Sequence, residues 1–129
     1  MPHFHIDYSA NLEDVLDMAA LCENIRATAA KIETFPTAGI RVRALRADHY
    51  AIADGAGKHG FVDLSLRLRA GRSDAVKAEA IAQIFAALKE FAAPAMQTHS
   101  IALSAEIRDT DAALSPKFGT TRDHMKDLS

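Results

Sequence analysis

Two kinds of hydrophobic pattern alternate along this chain, and their order restricts the folds that it can adopt. Apolar and polar residues alternate singly in four stretches, at about 4–8, 39–45, 62–69 and 101–108, which is typical of strands with one buried face. Apolar residues recur at three- and four-residue steps between the first two stretches and again between the last two, which indicates amphipathic helices. The order of elements therefore predicts two consecutive βαβ units.

The two units are predicted to occupy about residues 2–52 and 59–108 of a single domain that spans 1–129. A turn signal rich in glycine, at 54–57, separates them. The remaining stretch, about 109–129, is polar and weakly patterned, so we expect it to form a C-terminal tail.

Capping and breaking residues set the expected limits of the two helices. Ser9 and Asn11 are the candidate N-caps of a first helix of about five turns over 12–32. Ser73 is the expected N-cap of the second helix. Pro94 is expected to stop that helix, because proline lacks the N–H that a helix interior needs.

The fold class expected from this pattern is α+β. The two strands of each βαβ unit should be parallel with a right-handed crossover, and two units side by side give a four-stranded sheet with both helices on one face. One helical layer covers only one side of such a sheet. Burial of the second side then requires a partner subunit.

Composition excludes several classes of protein. The chain has 129 residues, of which 49% are hydrophobic and 25% charged, so it can build a core and is not mainly disordered. A net charge of −2 argues against general nucleic-acid binding. No run approaches the roughly 20 apolar residues of a membrane-spanning helix, and no basic segment followed by an apolar stretch begins the chain. We therefore expect a cytoplasmic protein with neither membrane nor nucleic-acid partners.

Pro2 is the first candidate for catalysis. Removal of the initiator methionine is normal before a small residue, and it would leave Pro2 with a secondary amine at the start of a predicted strand. Nearby arginines disfavour the protonated form of such an amine. A neutral amine that accepts a proton and later returns it is suited to general acid–base catalysis. Most chains that begin Met-Pro make no such use of the proline.

Arginines form the second candidate group. Arg41 and Arg43 share one face of a predicted strand, Arg67 and Arg69 repeat that spacing, and Arg72 lies in the turn that opens the second helix. A guanidinium beside the free N–H groups of a helix N-terminus can bind a carboxylate or phosphate. Solvated strand-edge charge is the alternative interpretation for Arg43, Arg46, Arg67 and Arg69. Arg41 and Arg72 are the better candidates, because each follows an Ala-Gly pair.

No metal or cofactor site is predicted. His3, His5 and Asp7 share one strand face and form a possible ligand array, but the other histidines lack supporting spacing, so we favour polar residues at a subunit interface. The single Cys22 excludes an intrachain disulfide, and its place among apolar positions indicates a core residue. Neither a dinucleotide fingerprint nor a P-loop is present.

Taken together, several short motifs resemble the 5-carboxymethyl-2-hydroxymuconate isomerase family of the tautomerase superfamily. The resemblance runs in order over 2–107, and its motifs are Pro2-His3-Phe4, Asp7-x-Ser9-x-Asn11, Phe35-Pro36-x-Ala38-Gly39-Ile40-Arg41-x-Arg43, Ala53-Asp54-Gly55, Gly71-Arg72-Ser73 and Leu103-Ser104-x-Glu106-Ile107. No single motif is specific, but the proline together with the two arginine contexts makes the set fairly specific.

The resemblance implies two βαβ units assembled as a homotrimer. It further implies an enzyme of homoprotocatechuate catabolism that converts a dienol tricarboxylate to its conjugated 2-oxo isomer without a cofactor. Pro2 would carry the proton, with Arg41 and Arg72 as the other catalytic residues. Arg41, Arg43 and Arg72 would bind the substrate, whose carboxylates and developing oxyanion match their charge.

Two departures from the family pattern leave alternatives open. His5 stands where an apolar residue is expected, and the chain after Asp109 matches poorly. A superfamily relative with other chemistry on an unsaturated acid, such as dehalogenation or decarboxylation, would keep Pro2. A non-enzymatic module that binds a small anion would be indifferent to Pro2.

Overall fold

The structure is a computed structural model and describes residues 1–125, so the last four residues of the predicted tail lie outside the described range. Its regular elements are four strands, β1 (His3–Ser9), β2 (Arg41–Ala47), β3 (His59–Arg69) and β4 (Ser100–Thr110), and two helices, α1 (Met18–Ala30) and α2 (Asp74–Met96).

The four strands form one mixed sheet in the order β2-β1-β3-β4. β1 and β2 are parallel, β3 and β4 are parallel, and the two pairs meet where β1 and β3 run antiparallel. α1 connects the first pair and α2 the second. The predicted four-stranded sheet of two βαβ units is confirmed.

Both helices pack on the same face of the sheet, as predicted. Every second residue of β1 and β3 points into one core, where it meets the apolar faces of α1 and α2. The residues that are completely shielded from solvent there include Phe4, Ile6, Leu21, Ile25, Leu64, Leu66, Ile84 and Leu88. Burial of each such side chain contributes about 1.5–3 kcal/mol, so this single core accounts for the arrangement of the elements.

The first helix begins later than the sequence pattern predicts, and the prediction of Ser9 or Asn11 as its N-cap is wrong. α1 begins after Asp17, whose carboxylate accepts a hydrogen bond from the Ala20 N–H at 3.0 Å. A short 3-10 turn, Ala10–Leu12, precedes it and buries Leu12. The apolar spacing continued through this turn, which made two elements look like one helix.

Ser9 and Asn11 instead join the end of β1 to β3. The hydroxyl of Ser9 accepts a hydrogen bond from the Phe61 N–H at 3.0 Å, and the Asn11 side chain donates to the His59 carbonyl at 2.7 Å. Ser9 is fully buried. Its polar group therefore needs a partner, and the β3 backbone supplies one.

The start of the second helix agrees with the prediction, but its end does not. The Ser73 hydroxyl accepts a hydrogen bond from the Val76 N–H at 3.2 Å, which confirms Ser73 as the N-cap. Pro94 lies inside α2, which continues to Met96. In the last turn a proline removes only one backbone hydrogen bond, and its fixed φ angle suits a helix.

Neither α1 nor α2 covers the second face of the sheet, because both pack into the core on the other face. On β1 this face carries His3, His5 and Asp7, and the register sets His3 between Arg41 of β2 and Arg67 of β3. Neither described helix is long and apolar enough to cross a membrane.

Gly60 allows the turn that carries Leu12 to lie directly on β3. A Cβ atom at Gly60 would lie 2.8 Å from both Cγ and Cδ2 of Leu12, which is itself buried. We predict that Gly60→Ala lowers the free energy of unfolding by about 1–3 kcal/mol, the usual range for overpacking.

Urea unfolding followed by circular dichroism measures this loss. Gly119→Ala is the matched control, because a Cβ there meets no atom within 4 Å, and its effect should stay within about 0.5 kcal/mol. Equal stabilities for the two variants would contradict the contact between Gly60 and Leu12.

Candidate active site

Pro2 lies at the start of the central strand and is fully buried. Its carbonyl accepts a hydrogen bond from the Arg41 N–H at 3.0 Å, which extends the pairing of β1 with β2. A 3-10 turn, Thr37–Gly39, packs against the proline ring. A Cβ atom at Gly39 would lie 3.0 Å from the Pro2 Cδ, so the absence of a side chain lets the turn approach the ring.

Two cavities adjoin the first residues of the chain. The larger has a volume of about 450 Å³, and Met1, His3, Arg67, Arg69 and Lys117 are among its lining residues. The smaller has a volume of about 170 Å³, and Met1, Gly39, Arg41, Lys117 and Arg122 are among its lining residues. Met1 lines both cavities, whereas Pro2, to which it is bonded, is in neither lining within the described residues.

The charge of these cavities is positive. Arg67, Arg69 and Lys117 line the larger one, and Arg41, Lys117 and Arg122 line the smaller one. Within residues 1–125, neither lining includes an aspartate or a glutamate. Cations without acidic partners favour an anionic ligand, so the arrangement suits a molecule that carries several carboxylates.

The same charges act on the amine of the first residue. Partial burial lowers the pKa of the Met1 amine, and the positive charges of Lys117, Arg72 and Arg69 lower this pKa further. Each of these effects disfavours the protonated form. An amine in this place is therefore a more available proton acceptor near neutral pH than an ordinary N-terminus.

His3 is held neutral at the edge of the larger cavity. Burial, followed by the charges of Arg67 and Arg43, lowers the pKa of His3 to about 4. The Arg43 guanidinium contacts the Nδ1 atom of His3 at 3.2 Å and also the ring of His5. His3 therefore adds a polar neutral ring to a cavity whose charged side chains are all cations.

The predicted arginines occupy three different positions. Arg41 lines the smaller cavity, and its Nη1 atom donates to the carbonyl oxygens of Ala38 at 2.9 Å and Ile40 at 3.1 Å. Arg43 lies on the second face of the sheet, against the rings of His3 and His5. It is in the lining of neither cavity as the structure describes them.

Arg72 lies behind the site, not in a cavity wall of the described chain. Its guanidinium donates to the carbonyl oxygens of Arg69 at 3.1 Å and Thr34 at 3.0 Å. These bonds tie the end of β3 to the segment after α1. The charge of Arg72 still reaches the N-terminal amine, because it is one of the causes that lower the pKa of that amine.

Sequence reasoning missed the contribution of the tail. Lys117 and Arg122 line the cavities, and the Arg41 Nη2 atom donates to the Thr121 hydroxyl at 3.1 Å. These residues carry no periodic pattern, and they reach the site only because the chain folds back after β4. Nothing in the local sequence indicates that contact.

The candidate metal ligands on β1 contact an arginine. Because a guanidinium lies against both His3 and His5, a second cation between those rings would be repelled. Among residues 1–125, no group of three or more histidine, cysteine, aspartate or glutamate side chains is placed to hold a metal ion. Cys22 is partly buried on α1, and burial raises the pKa of its thiol, which disfavours the reactive thiolate.

Comparison with known proteins identifies the family to which this site belongs. A family model described as 5-carboxymethyl-2-hydroxymuconate isomerase matches residues 2–125. The chain belongs to the 5-carboxymethyl-2-hydroxymuconate isomerase family. An Escherichia coli protein named 5-carboxymethyl-2-hydroxymuconate Delta-isomerase is 33% identical over 117 residues, which cover 91% of this chain and 93% of that protein.

Solved structures of the same family share the fold. One, described as a 5-carboxymethyl-2-hydroxymuconate delta-isomerase, matches with a TM-score of 0.90 and 35% identity over 100% of this chain and 95% of its own. A 5-carboxymethyl-2-hydroxymuconate isomerase from Deinococcus radiodurans R1 matches with a TM-score of 0.86 and 33% identity over 97% and 95% of the two chains.

The low pKa of His3 predicts a pH-dependent contribution to stability. Because the native pKa is about 4 and the ordinary value is 6.5, the unfolded chain binds more protons between these values. The free energy of unfolding should therefore fall as the pH decreases from 6.5 to about 4, with no further loss from this group below pH 4. Arg67→Met removes a charge that lowers this pKa, so it should raise the pKa of His3. The pH range over which His3 lowers the free energy of unfolding should then become narrower.

NMR titration of the His3 ring and urea unfolding at several pH values measure both effects. Arg26→Met is the control, because Arg26 is paired with Glu23 on the exposed side of α1. A His3 pKa that is the same in wild type and Arg67→Met would refute the assigned cause.

Proposed function

We propose that this chain is a cofactor-independent 5-carboxymethyl-2-hydroxymuconate Δ-isomerase of homoprotocatechuate catabolism, acting in the cytoplasm. One observation supports the proposal for this chain: Met1, which is bonded to the buried Pro2, lines two cavities whose charged lining residues are all cations. The family whose model covers residues 2–125 bears the name of the same reaction. The substrate is a tricarboxylate, which matches the charge of the cavity walls.

Removal of Met1 is the step that makes Pro2 a catalyst. While Met1 is attached, the Pro2 nitrogen is an amide and has no basic electron pair. After removal the nitrogen becomes a secondary amine, and the space of Met1 becomes free next to it. Since Met1 lines both cavities, that space connects them around the new amine.

The proton shift needs one group that acts first as a base and then as an acid. The neutral Pro2 amine accepts the proton of the 2-hydroxyl group, and the oxygen electron pair forms the C2=O bond. The C2=C3 electron pair moves to C3=C4, and the C4=C5 pair takes the proton back from the proline at C5. The product is the conjugated 2-oxo isomer, and no proton or electron is gained or lost overall.

The surrounding cations support both halves of this cycle. Lys117, Arg72 and Arg69 disfavour the protonated form of an amine at this end of the chain, because they lower the pKa of the Met1 amine. Lys117 and Arg69, which line the larger cavity, are also placed to meet the negative charge that moves toward the substrate oxygen during the proton shift. Positive groups that are fixed before the reaction stabilise that charge in the transition state.

The proposed carboxylate-binding residues are Arg41, Arg43 and Arg72, with Arg41 and Arg72 as the catalytic pair. Arg41 is the best placed of them, since it lines the smaller cavity and is held by two backbone carbonyls. Arg72 acts at longer range, and Arg43 lies beside His3 at the edge of the larger cavity.

The proposed assembly is a homotrimer. In the described chain neither α1 nor α2 covers the second face of the sheet, and β2 and β4 are edge strands that each leave a row of backbone groups unpaired. Leu45 on the open face of β2 is 50% exposed. A closed ring of three copies would cover the face and pair the edges.

Sedimentation equilibrium measures the assembly directly. We expect a mass of three 13.9 kDa chains, and the mass should not change on dilution through the low micromolar range. A single-chain mass at all concentrations would refute the trimer and leave the proposed chemistry to be tested separately.

The decisive experiment compares the wild type with Pro2→Ala. We expect intact mass spectrometry to show that Met1 is absent from both proteins, because alanine is also small. Wild type should convert 5-carboxymethyl-2-hydroxymuconate rapidly to the 2-oxo isomer. Pro2→Ala replaces the secondary amine by a primary amine and should lower kcat/KM by roughly 10²-fold or more, the usual contribution of a positioned acid–base group.

A panel of substrates distinguishes isomerisation from the alternative reactions. Simpler 2-hydroxymuconates and a halogenated unsaturated acid are assayed beside the tricarboxylate. A wild-type protein without Met1 that is inactive on every dienol, or a Pro2→Ala protein with unchanged turnover, would overturn the proposed function. Turnover of the halogenated acid alone would assign dehalogenation to Pro2 in place of isomerisation.

A further inference from the structure

Lys117 occupies the position that both cavities share. The two linings have only Met1 and Lys117 in common among the described residues. The other cationic side chains face one cavity each, with Arg67 and Arg69 on the larger and Arg41 and Arg122 on the smaller. Lys117 therefore lies beside Met1, the residue whose removal would free the Pro2 nitrogen.

Hydrogen bonds hold the tail in place on either side of Lys117. Before it, the Ala70 N–H donates to the Thr110 carbonyl at 2.9 Å, and the Asp111 carboxylate accepts from the Ala113 N–H at 2.9 Å. After it, the Thr121 hydroxyl accepts from Arg41 at 3.1 Å. The backbone that carries Lys117 is thus tied to β3 at one end and to a cavity-lining arginine at the other.

The ammonium group of Lys117 has no acidic partner within residues 1–125, where none of the ion pairs involves it. Lys77 differs, because Asp74 and Asp109 both lie within 3.4 Å of its nitrogen. Lys117 instead lies within hydrogen-bonding reach of the N-terminal amine, and both its hydrogen bond and its charge lower the pKa of that amine. Two cationic groups this close repel each other unless an anion lies between them.

We infer that Lys117 is a substrate-binding residue of this active site, whose ammonium group binds one carboxylate of the substrate beside the Pro2 nitrogen. The inference rests on the function proposed above and adds a cation from the tail to the arginines of the sheet and turns. A carboxylate bound there neutralises the repulsion between Lys117 and the N-terminus. It also orients the dienol so that its reacting atoms face Pro2.

The test compares Lys117→Met with Lys117→Arg. Methionine keeps the length of an unbranched side chain without the charge, whereas arginine keeps the charge. We expect Lys117→Met to raise KM for 5-carboxymethyl-2-hydroxymuconate about tenfold or more, because it loses a charge-assisted hydrogen bond. Lys117→Arg should recover most of the affinity. Lys58→Met is the control, since Lys58 is exposed and lies in neither lining.

A pH profile separates this role from a structural one. Loss of a neighbouring positive charge should raise the pKa of the Pro2 amine, so the ascending limb of kcat/KM should move to higher pH in Lys117→Met and not in Lys58→Met. A lower melting temperature alone would not move that limb. Lys117→Met with wild-type KM and an unshifted profile would overturn the inference.

A binding measurement keeps the inference testable if the proposed reaction fails. Calorimetry with tricarballylate, an unreactive tricarboxylate, reports anion binding without turnover. We expect Lys117→Met to weaken this binding about tenfold and Lys58→Met to leave it within twofold. An inactive wild type that still shows this difference would refute the proposed function and support Lys117 as an anion-binding residue. Equal binding by wild type, Lys117→Met and Lys58→Met would refute the role of Lys117 in anion binding.

Discussion

The rest of the structure depends on the pairing of β1 with a neighbour on each side. Its hydrogen bonds with β2 and β3 fix the central strand of the sheet, and Pro2 opens that strand. Proline lacks an N–H, so the first position of a strand is one of the few that it can occupy without loss of a ladder bond. The same pairing brings the Arg41 N–H to the Pro2 carbonyl. The nitrogen proposed to carry the proton therefore belongs to a residue that is held by the backbone of the sheet.

Charge around this nitrogen is concentrated and uncompensated. The whole chain carries a net charge of −2, yet no acidic side chain of residues 1–125 lines either cavity. Such a cluster opposes folding through mutual repulsion, and part of the effect is visible in the depressed pKa of His3. A ligand with several carboxylates removes the repulsion when it binds. The free protein is thus less stable than it would be if these cations were neutral. Such a loss of stability is common at functional sites.

Periodicity allowed the sheet and the helical faces to be predicted, because each strand and helix has one side in a common core. The pattern could not show where α1 begins, since Leu12 is buried from a separate 3-10 turn and continues the helical spacing. The rule that proline ends a helix also could not show that Pro94 lies inside the last turn of α2. Pro2 and Arg41 became candidates from their local contexts, and the structure places Arg41 in a cavity wall and Pro2 next to a residue that lines two cavities. Lys117 was not, because its contact with the site arises from a return of the chain that leaves no local signal.

Gly39 shows how a position without functional groups can be restricted by the residue beside it. Any other amino acid there would bring a Cβ atom to 3.0 Å from the ring of Pro2. In an alignment of homologues such a glycine would look like a catalytic residue, although it performs no chemistry. The packing there requires only an empty volume. A search for active-site residues that relies on conservation alone would therefore confuse a packing requirement with a catalytic role.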